Sequence, residues 1–246
     1  MEARLRRRAN CMVGVLSLAL ITCGAVAPLG ATAWGGVVTP SSVIRAATSA
    51  IAGQPSAHVV FVAHAGSPSR TETIVADVGR KSGTETVTEG KAALAIRLSP
   101  THAYVSGNSS GLTTIFGLSS ADAKKVGKDW ESWKAGTSRY AAFKLDLTML
   151  SVSALLPKAK GTRLTTVASQ GATFDVLKWT IAATSSIPGV MNTLTVSRGS
   201  IMLPVKEVAL ISNGAKATTT LSGWGEPVVV DVPPATATIA SSKITG

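Results

Sequence analysis

The segment from Gly107 to Gly111 holds residues whose types and spacing could do covalent chemistry. Its sequence, Gly-Asn-Ser-Ser-Gly, matches the G-x-S-x-G pattern in which a strand-to-helix turn exposes a nucleophilic serine. Ser109 would need a histidine base and an acid to orient it, and hydrolases with this pattern place the histidine after the serine. The chain's histidines, His58, His64 and His102, all precede it. We therefore expect a turn into a helix, and a secreted serine hydrolase using Ser109 is only a remote alternative.

The histidines do not indicate a metal site either. His58 and His64 fall on one face of a predicted strand, but six residues of strand separate them by about 20 Å. Two ligands at that distance cannot share one ion, and no cysteine or carboxylate cluster accompanies them. The glycine-rich stretches also lack the lysine pattern of a phosphate-binding loop. The sequence therefore predicts no metal, no cofactor and no enzymatic activity.

The first 33 residues have the pattern of a secretory signal. A basic start is followed by an uncharged, mostly apolar run from Met12 to Ala27, and Ala31-Thr32-Ala33 is a small-x-small cleavage site. Leu20-Ile21-Thr22-Cys23 supports a second interpretation, because it is close to a bacterial lipobox. The signal would then end at residue 22 and Cys23 would be lipidated. An uncleaved anchor is the third possibility, and an exported, envelope or extracellular protein follows from the first two.

Charge and cysteine content limit the classes of partner. The chain carries 24 Lys and Arg against 13 Asp and Glu, a formal net charge of +11. The charges are scattered, which is typical of a solvated basic surface or of attraction to anionic lipid head groups and cell-wall polymers. Nucleic acid is not expected, because no basic stripe is interleaved with aromatics. Both cysteines, Cys11 and Cys23, lie in the leader, so no disulfide framework is expected, and we predict a monomer.

After a predicted linker over residues 34–40, period-2 patterns dominate the chain. Leu94, Ile96 and Leu98 alternate with smaller or charged residues, as in a strand with one buried face. Asn213-Gly214 between two β-rich runs is a strong hairpin signal. Short turns between successive strands predict an antiparallel meander. We assign residues 41–238 to one domain and residues 239–246 to a C-terminal tail.

Three helices are predicted beside these strands. One is capped at Ser41-Ser42 and ends at Gly53, and a second begins at Ser119 and stops at Gly127. The third runs from Leu145 to Leu156 and is apolar on nearly every side, so it must be covered on more than one face.

Four segments resemble the actinobacterial envelope lipoproteins of the LppX/LprG type. They are "AYVSGNSSGL", "AKKVGKDWESWKAGTSRY", "IMLPVKEVAL" and "LSGWGEPVVVDVPPATAT". Members of that family show a "YVKG" strand, a "GKW" segment and a final "Y/WGxPVxVxxPP" strand and tail, in the same order. The similarity spans roughly residues 42 to 238.

The resemblance implies an α+β fold of the LolA-like half-barrel kind, in which a strongly curved antiparallel sheet has a few helices over its concave face. It also implies a carrier of lipid or glycolipid acyl chains that performs no catalysis. The alternative is a structural or regulatory envelope protein with the same fold and a filled interior. The predicted lining residues are apolar positions on alternating strands and on the apolar helix: Val60, Val62, Leu94, Ile96, Leu147, Leu150, Leu155, Leu194 and Val196.

Overall fold

The computed structural model describes residues 38–65, 70–185 and 188–244. The predicted signal, Cys23 and most of the predicted linker lie outside these residues. The described part is α+β, as predicted, with one twelve-stranded curved sheet that does not close on itself and a few helices. No helix in these ranges is both long and apolar enough to cross a bilayer.

The strands occupy most of the described chain. They are β1 (Ser56–Ala65), β2 (Arg70–Gly79), β3 (Gly83–Glu89), β4 (Ala92–Leu98), β5 (His102–Gly107), β6 (Trp130–Lys134), β7 (Arg163–Ser169), β8 (Ala172–Ile181), β9 (Val190–Ser197), β10 (Pro204–Ile211), β11 (Lys216–Ser222) and β12 (Thr238–Ala240). The α-helices are α1 (Pro40–Gly53), α2 (Ser120–Val126), α3 (Ser138–Asp146) and α4 (Met149–Ser153), and a π-helical turn spans Gly111–Ile115.

The sheet consists of two antiparallel meanders rather than one. Strands β1 to β6 follow one another across one half, and β7 to β11 across the other, while β1 pairs with β11 at the centre. The prediction of a single continuous meander is therefore wrong between β6 and β7. The chain leaves β6 at one side, passes through α3 and α4, and re-enters the sheet as β7 at its far edge.

Alternation along the strands separates a buried face from a more exposed one. In β4 the larger residues Leu94, Ile96 and Leu98 are buried, as predicted, while the residues between them are partly exposed. The same face carries Phe61 of β1 and Leu194 of β9. The helices cover this face: α4 packs against β1 and α1, and α1 lies on the β8–β9 half.

Helix α1 begins slightly earlier than predicted. Thr39 is the N-cap, and its hydroxyl accepts a hydrogen bond from the Ser42 backbone N–H at 3.2 Å. The Ser42 hydroxyl in turn accepts from the Thr39 N–H at 3.0 Å, completing a capping box. Pro40, assigned above to the linker, is the first helical residue, a position that its missing N–H suits.

The single helix predicted from Leu145 to Leu156 is wrong. The chain instead forms α3 and α4, with Leu147 and Thr148 between them. Thr148 forms an isolated parallel bridge to Gly79, and the Leu147 carbonyl oxygen would lie only 2.2 Å from a β-carbon placed at Gly83. The connection therefore docks onto the β2–β3 turn, and this tertiary contact overrides the helical pattern.

The C-terminal segment belongs to the fold. Strand β12 pairs in parallel with β6, and Ile244 is almost completely buried in the core. The Lys125 ammonium donates a hydrogen bond to the Ile244 carbonyl at 2.8 Å. Part of the segment assigned above to a tail is thus packed against β6 and α2.

Candidate functional site

The Gly107–Gly111 motif forms a structural turn. The Asn108 side chain accepts hydrogen bonds from the Gly111 N–H at 2.7 Å and the Ala93 N–H at 3.2 Å. A β-carbon at Gly111 would lie 1.9 Å from the Ala93 carbonyl oxygen, and one at Gly107 would lie 2.5 Å from it. The glycines are therefore required for the close approach of this turn to β4, as expected for a turn.

The three histidines have other partners. His58 contacts Asp77 at 2.7 Å, His64 contacts Thr71 at 3.0 Å, and His102 contacts Thr101 at 3.2 Å, each through Nδ1. Ser109 is exposed, and none of these contacts involves it. Within the described ranges, no group of three or more histidine, cysteine or acidic residues could hold a metal ion.

A small, mostly apolar cavity lies between the middle of the sheet and α4. This central cavity has a volume of about 70 Å³. Its sheet side is formed by β1, β2, β3 and β11, and its other side by α4 and its flanking residues. The lining side chains are Val59, Phe61, Ile74, Ala76, Val78, Glu85, Asp146, Ser151, Val152, Leu155 and Thr219.

Among the residues predicted to line a cavity, Leu155 does so. Val60 and Val62 lie on the opposite face of β1, because their neighbours Val59 and Phe61 line the cavity and successive strand residues alternate. Leu150 is 46% exposed on α4 and is not in the lining.

The other predicted lining residues are buried elsewhere in the protein core. They are Leu94, Ile96, Leu147, Leu194 and Val196. Their contact with a ligand therefore stays a prediction, as it does for Val60, Val62 and Leu150.

The lining residues on β1 and β2 were missed for a specific reason. The run from Val59 to Val62 is apolar at every position, so periodicity does not say which face is buried. Strand β2 carried the missing signal, since Ile74, Ala76 and Val78 alternate with polar or more exposed residues. Pairing β1 with β2 in the observed register would have identified Val59, opposite Ala76.

A buried charged group lies at the β6 end of the same face. The Arg139 guanidinium lies over the rings of Phe116 and Trp133, with centroid distances of 5.0 and 5.9 Å. Glu131 is 1% exposed, and burial raises its pKa to about 7, against the opposing effect of Arg139. Burial also lowers the pKa of Arg139. The Trp133 ring also packs against Phe143, with centroids 5.5 Å apart, and this group lies away from the central cavity.

Comparison with known proteins gives structural likenesses only. No protein-family model and no curated protein matches the chain. LprF from Mycobacterium bovis matches with a TM-score of 0.49 and 16% identity, over 79% of this chain and 96% of that one. The lipoprotein LppX from Mycobacterium tuberculosis matches with a TM-score of 0.44 and 18% identity, over 78% and 98%. A DUF1329 family protein from Desulfovibrio piger matches with a TM-score of 0.30 and 10% identity, over 81% and 97%.

The first two of these proteins are of the type that the sequence motifs resemble, so the predicted resemblance is confirmed. At TM-scores below 0.5 the likenesses do not bear on what this chain binds.

Proposed function

We propose that this protein is an exported cell-envelope protein that binds or carries the acyl chains of a lipid or glycolipid, without catalysis. The observation that carries the proposal is the central cavity, whose lining is mainly aliphatic and aromatic and which lies under a helix of only five residues. The resemblance of four sequence segments to the envelope lipoproteins of the LppX/LprG type supports the same assignment.

The physical basis is transfer of hydrocarbon out of water. Each methylene group that leaves water contributes about 0.8 kcal/mol, so an acyl chain is held by apolar walls without any reactive group. Phe61, Ile74 and Val78 provide such walls on the sheet, and Val152 and Leu155 provide them opposite.

The central cavity must enlarge to accept a long chain. Its volume of about 70 Å³ is below the roughly 150 Å³ of an engineered apolar cavity that admits benzene. We infer that α4 separates from β1 and β2 when lipid enters. Helix α4 suits this movement, because it is short and Leu150 and Ser153 on its outer side are exposed.

The small volume favours the second candidate, a structural or regulatory envelope protein with a filled interior. The two candidates differ in one measurable property. A carrier retains lipid through purification and binds lipid added afterwards, whereas a filled protein does neither.

The test is lipid extraction from the full chain purified out of a bacterial envelope, followed by mass spectrometry. A carrier yields a stoichiometric lipid above the level found with an unrelated exported protein purified in parallel. Absence of bound lipid, together with no uptake from added lipid, would overturn the proposal and support the filled alternative.

Tethering is a separate part of the proposal. Lipidation at Cys23 adds a diacylglyceryl mass to a chain that starts at that residue, while cleavage after Ala33 leaves an unmodified chain. Intact-mass measurement of the exported protein distinguishes the two, and Cys23→Ala abolishes the diacylglyceryl mass if Cys23 is the lipidated residue.

A further inference from the structure

Two buried polar side chains lie side by side on the covered face of the sheet, outside the lining of the central cavity. Glu207 of β10 and Asn192 of β9 are each 1% exposed. Glu207 pairs with Leu194, and Asn192 pairs with Ala209, so the two are diagonal neighbours on adjacent strands. We call Glu207 and Asn192 the polar pair.

The polar pair lacks hydrogen-bond partners. Among the described residues, neither carboxyl oxygen of Glu207 has one, and neither the amide nitrogen nor the oxygen of Asn192 has one. Leaving a buried polar group unsatisfied costs free energy, so each such group calls for an explanation. Four polar atoms without partners on two neighbouring side chains indicate that a polar group from outside the chain forms hydrogen bonds with them.

The polar pair lies next to the central cavity. Thr219, which lines the cavity, is the direct cross-strand partner of Glu207, and cross-strand β-carbons are about 5 Å apart. The adjacent cross-strand row consists of three small residues followed by Asn192. Ala63 pairs with Ala217, Ala217 with Ala209, and Ala209 with Asn192. Ala217 and Ala209 are buried at 6% and 2% exposure, so a ligand that continues from the cavity reaches this row only when the packing above it opens.

The core is also divided at this point. The larger cluster of buried apolar residues includes Phe61, and a separate smaller cluster includes Leu194. In the cross-strand row that runs from Phe61 to Leu194, the residues between these two are Thr219 and Glu207. Apolar packing is therefore interrupted in this one row, while in the adjacent row the larger cluster continues through Ala217 and Ala209.

The chemistry of the polar pair selects an uncharged ligand atom. Burial raises the pKa of Glu207 to about 8, so near neutral pH the side chain is a carboxylic acid that donates a hydrogen bond. The Asn192 amide supplies two more N–H donors. Neutral donors on neighbouring strands match a carbonyl oxygen better than a phosphate or a metal cation.

We propose that Glu207 and Asn192 form an internal subsite that hydrogen-bonds the ester carbonyl oxygen of a lipid whose acyl chain occupies the enlarged central cavity. This inference rests on the proposed function and names the class of lipid, a neutral acyl ester. A free fatty acid fits this subsite less well at neutral pH, because its carboxylate would be buried without a positively charged partner from the polar pair.

The test compares methyl palmitate with octadecane, a hydrocarbon of similar length that lacks the carbonyl. Each displaces the neutral fluorescent probe N-phenyl-1-naphthylamine from the full chain. We expect the ester to displace the probe at about tenfold lower concentration, as one satisfied hydrogen bond to a buried donor predicts. The infrared band of carbonyl-13C-labelled methyl palmitate should also shift to lower frequency on binding.

Substitutions locate the effect. With Glu207→Leu or Asn192→Leu, methyl palmitate and octadecane should displace the probe at about the same concentration, while octadecane binding is retained. Glu207→Gln should keep most of the preference for the ester. Glu131→Leu is the matched control: a buried carboxyl on the same face but on β6, far from β10 in the sheet order, so the ester preference should persist.

Two results would overturn the subsite in distinguishable ways. Equal displacement by ester and hydrocarbon, with no carbonyl shift, removes the subsite and leaves lipid carriage standing. Displacement by neither compound removes both the subsite and the proposed function. The comparison in the native protein needs no variant, so a substitution that fails to fold does not prevent a decision.

Discussion

At the scale of single residues, the Gly107–Gly111 turn shows how a catalytic pattern can arise from packing. Its glycines are required because the turn passes directly over the Ala93 carbonyl. Asn108 holds the turn to the β3–β4 hairpin by donating a hydrogen bond to the Lys91 carbonyl at 2.8 Å. The serines between them point to solvent.

A pair of substitutions separates the structural role from the catalytic one. Gly111→Ala should lower the free energy of unfolding by about 1–3 kcal/mol or more, because its β-carbon would overlap the Ala93 carbonyl. Ser109→Ala should change it by less than about 0.5 kcal/mol, because the side chain is exposed. Denaturant unfolding measures both, and esterase activity lost only in Ser109→Ala would contradict the structural interpretation.

Stability should depend on pH through Glu207. Its pKa is raised from 4.5 to about 8 by burial, so the folded protein keeps a proton that the unfolded chain loses between these values. The free energy of unfolding therefore falls as pH rises from 4.5 to 8, by up to about 5 kcal/mol. Glu131, with a pKa of about 7, adds a fall in the narrower window from 4.5 to 7.

Glu207→Gln should flatten this dependence. Thermal unfolding at pH 5 and pH 8 measures the slope for the native protein and the variant. At pH 5 the folded Glu207 is uncharged, and because the unfolded pKa of 4.5 lies only just below, little of the stabilisation has yet been lost; the difference between the proteins should therefore grow toward pH 8. Parallel curves across this range would show that Glu207 ionises normally.

At the scale of elements, the covering of the sheet depends on short segments. Helices α3 and α4 are separated by the Leu147–Thr148 connection, which docks on the β2–β3 turn. Among the described residues, the lining opposite the strands comes from α4, from Leu155 just after it and from Asp146 at the end of α3. A five-residue helix has little stability of its own, so packing against β1 and α1 holds it in place.

Filling the central cavity should block lipid uptake. Ala76→Phe places a ring among the lining residues, whereas Val75→Phe places the same ring on the opposite face of β2, where Val75 is 39% exposed. We expect the first variant to lose at least about tenfold in affinity for methyl palmitate and the second to bind normally. Circular dichroism checks that both are folded, and equal binding by both would place the lipid elsewhere.

At the scale of the whole molecule, charge and topology act together. The two meanders pair through β1 and β11, so both halves of the chain contribute to the same helix-covered face of one sheet. The formal charge is +11 for the full chain, and residues 34–246, which remain after removal of the predicted signal, carry 20 Lys and Arg against 12 Asp and Glu, so +8 persists and the molecule has a positive field at neutral pH. Such a field attracts the protein to anionic surfaces and weakens as salt screens it.

Association with membranes should therefore be electrostatic for the untethered protein. Vesicles of phosphatidylcholine with a quarter phosphatidylglycerol should cosediment with the protein at low ionic strength and release most of it in half-molar salt. Pure phosphatidylcholine vesicles are the control and should bind little. Equal binding to both vesicle types would indicate that charge does not direct association.

The sequence by itself determined the antiparallel hairpins and the covered strands such as β4, because period-2 alternation and short turns are local signals, and the α+β class followed from the resemblance to the LppX/LprG type. It also predicted a turn into a helix at Ser109, because the histidines precede the serine and the strands form antiparallel hairpins. Tertiary structure decided the break between α3 and α4, the pairing of β1 with β11, the face of β1 that lines the central cavity, and the meeting of Glu207 with Asn192. These features depend on which strands become neighbours. Neither an all-apolar run such as Val59–Val62 nor two polar residues fifteen positions apart contains a local pattern that predicts those neighbours.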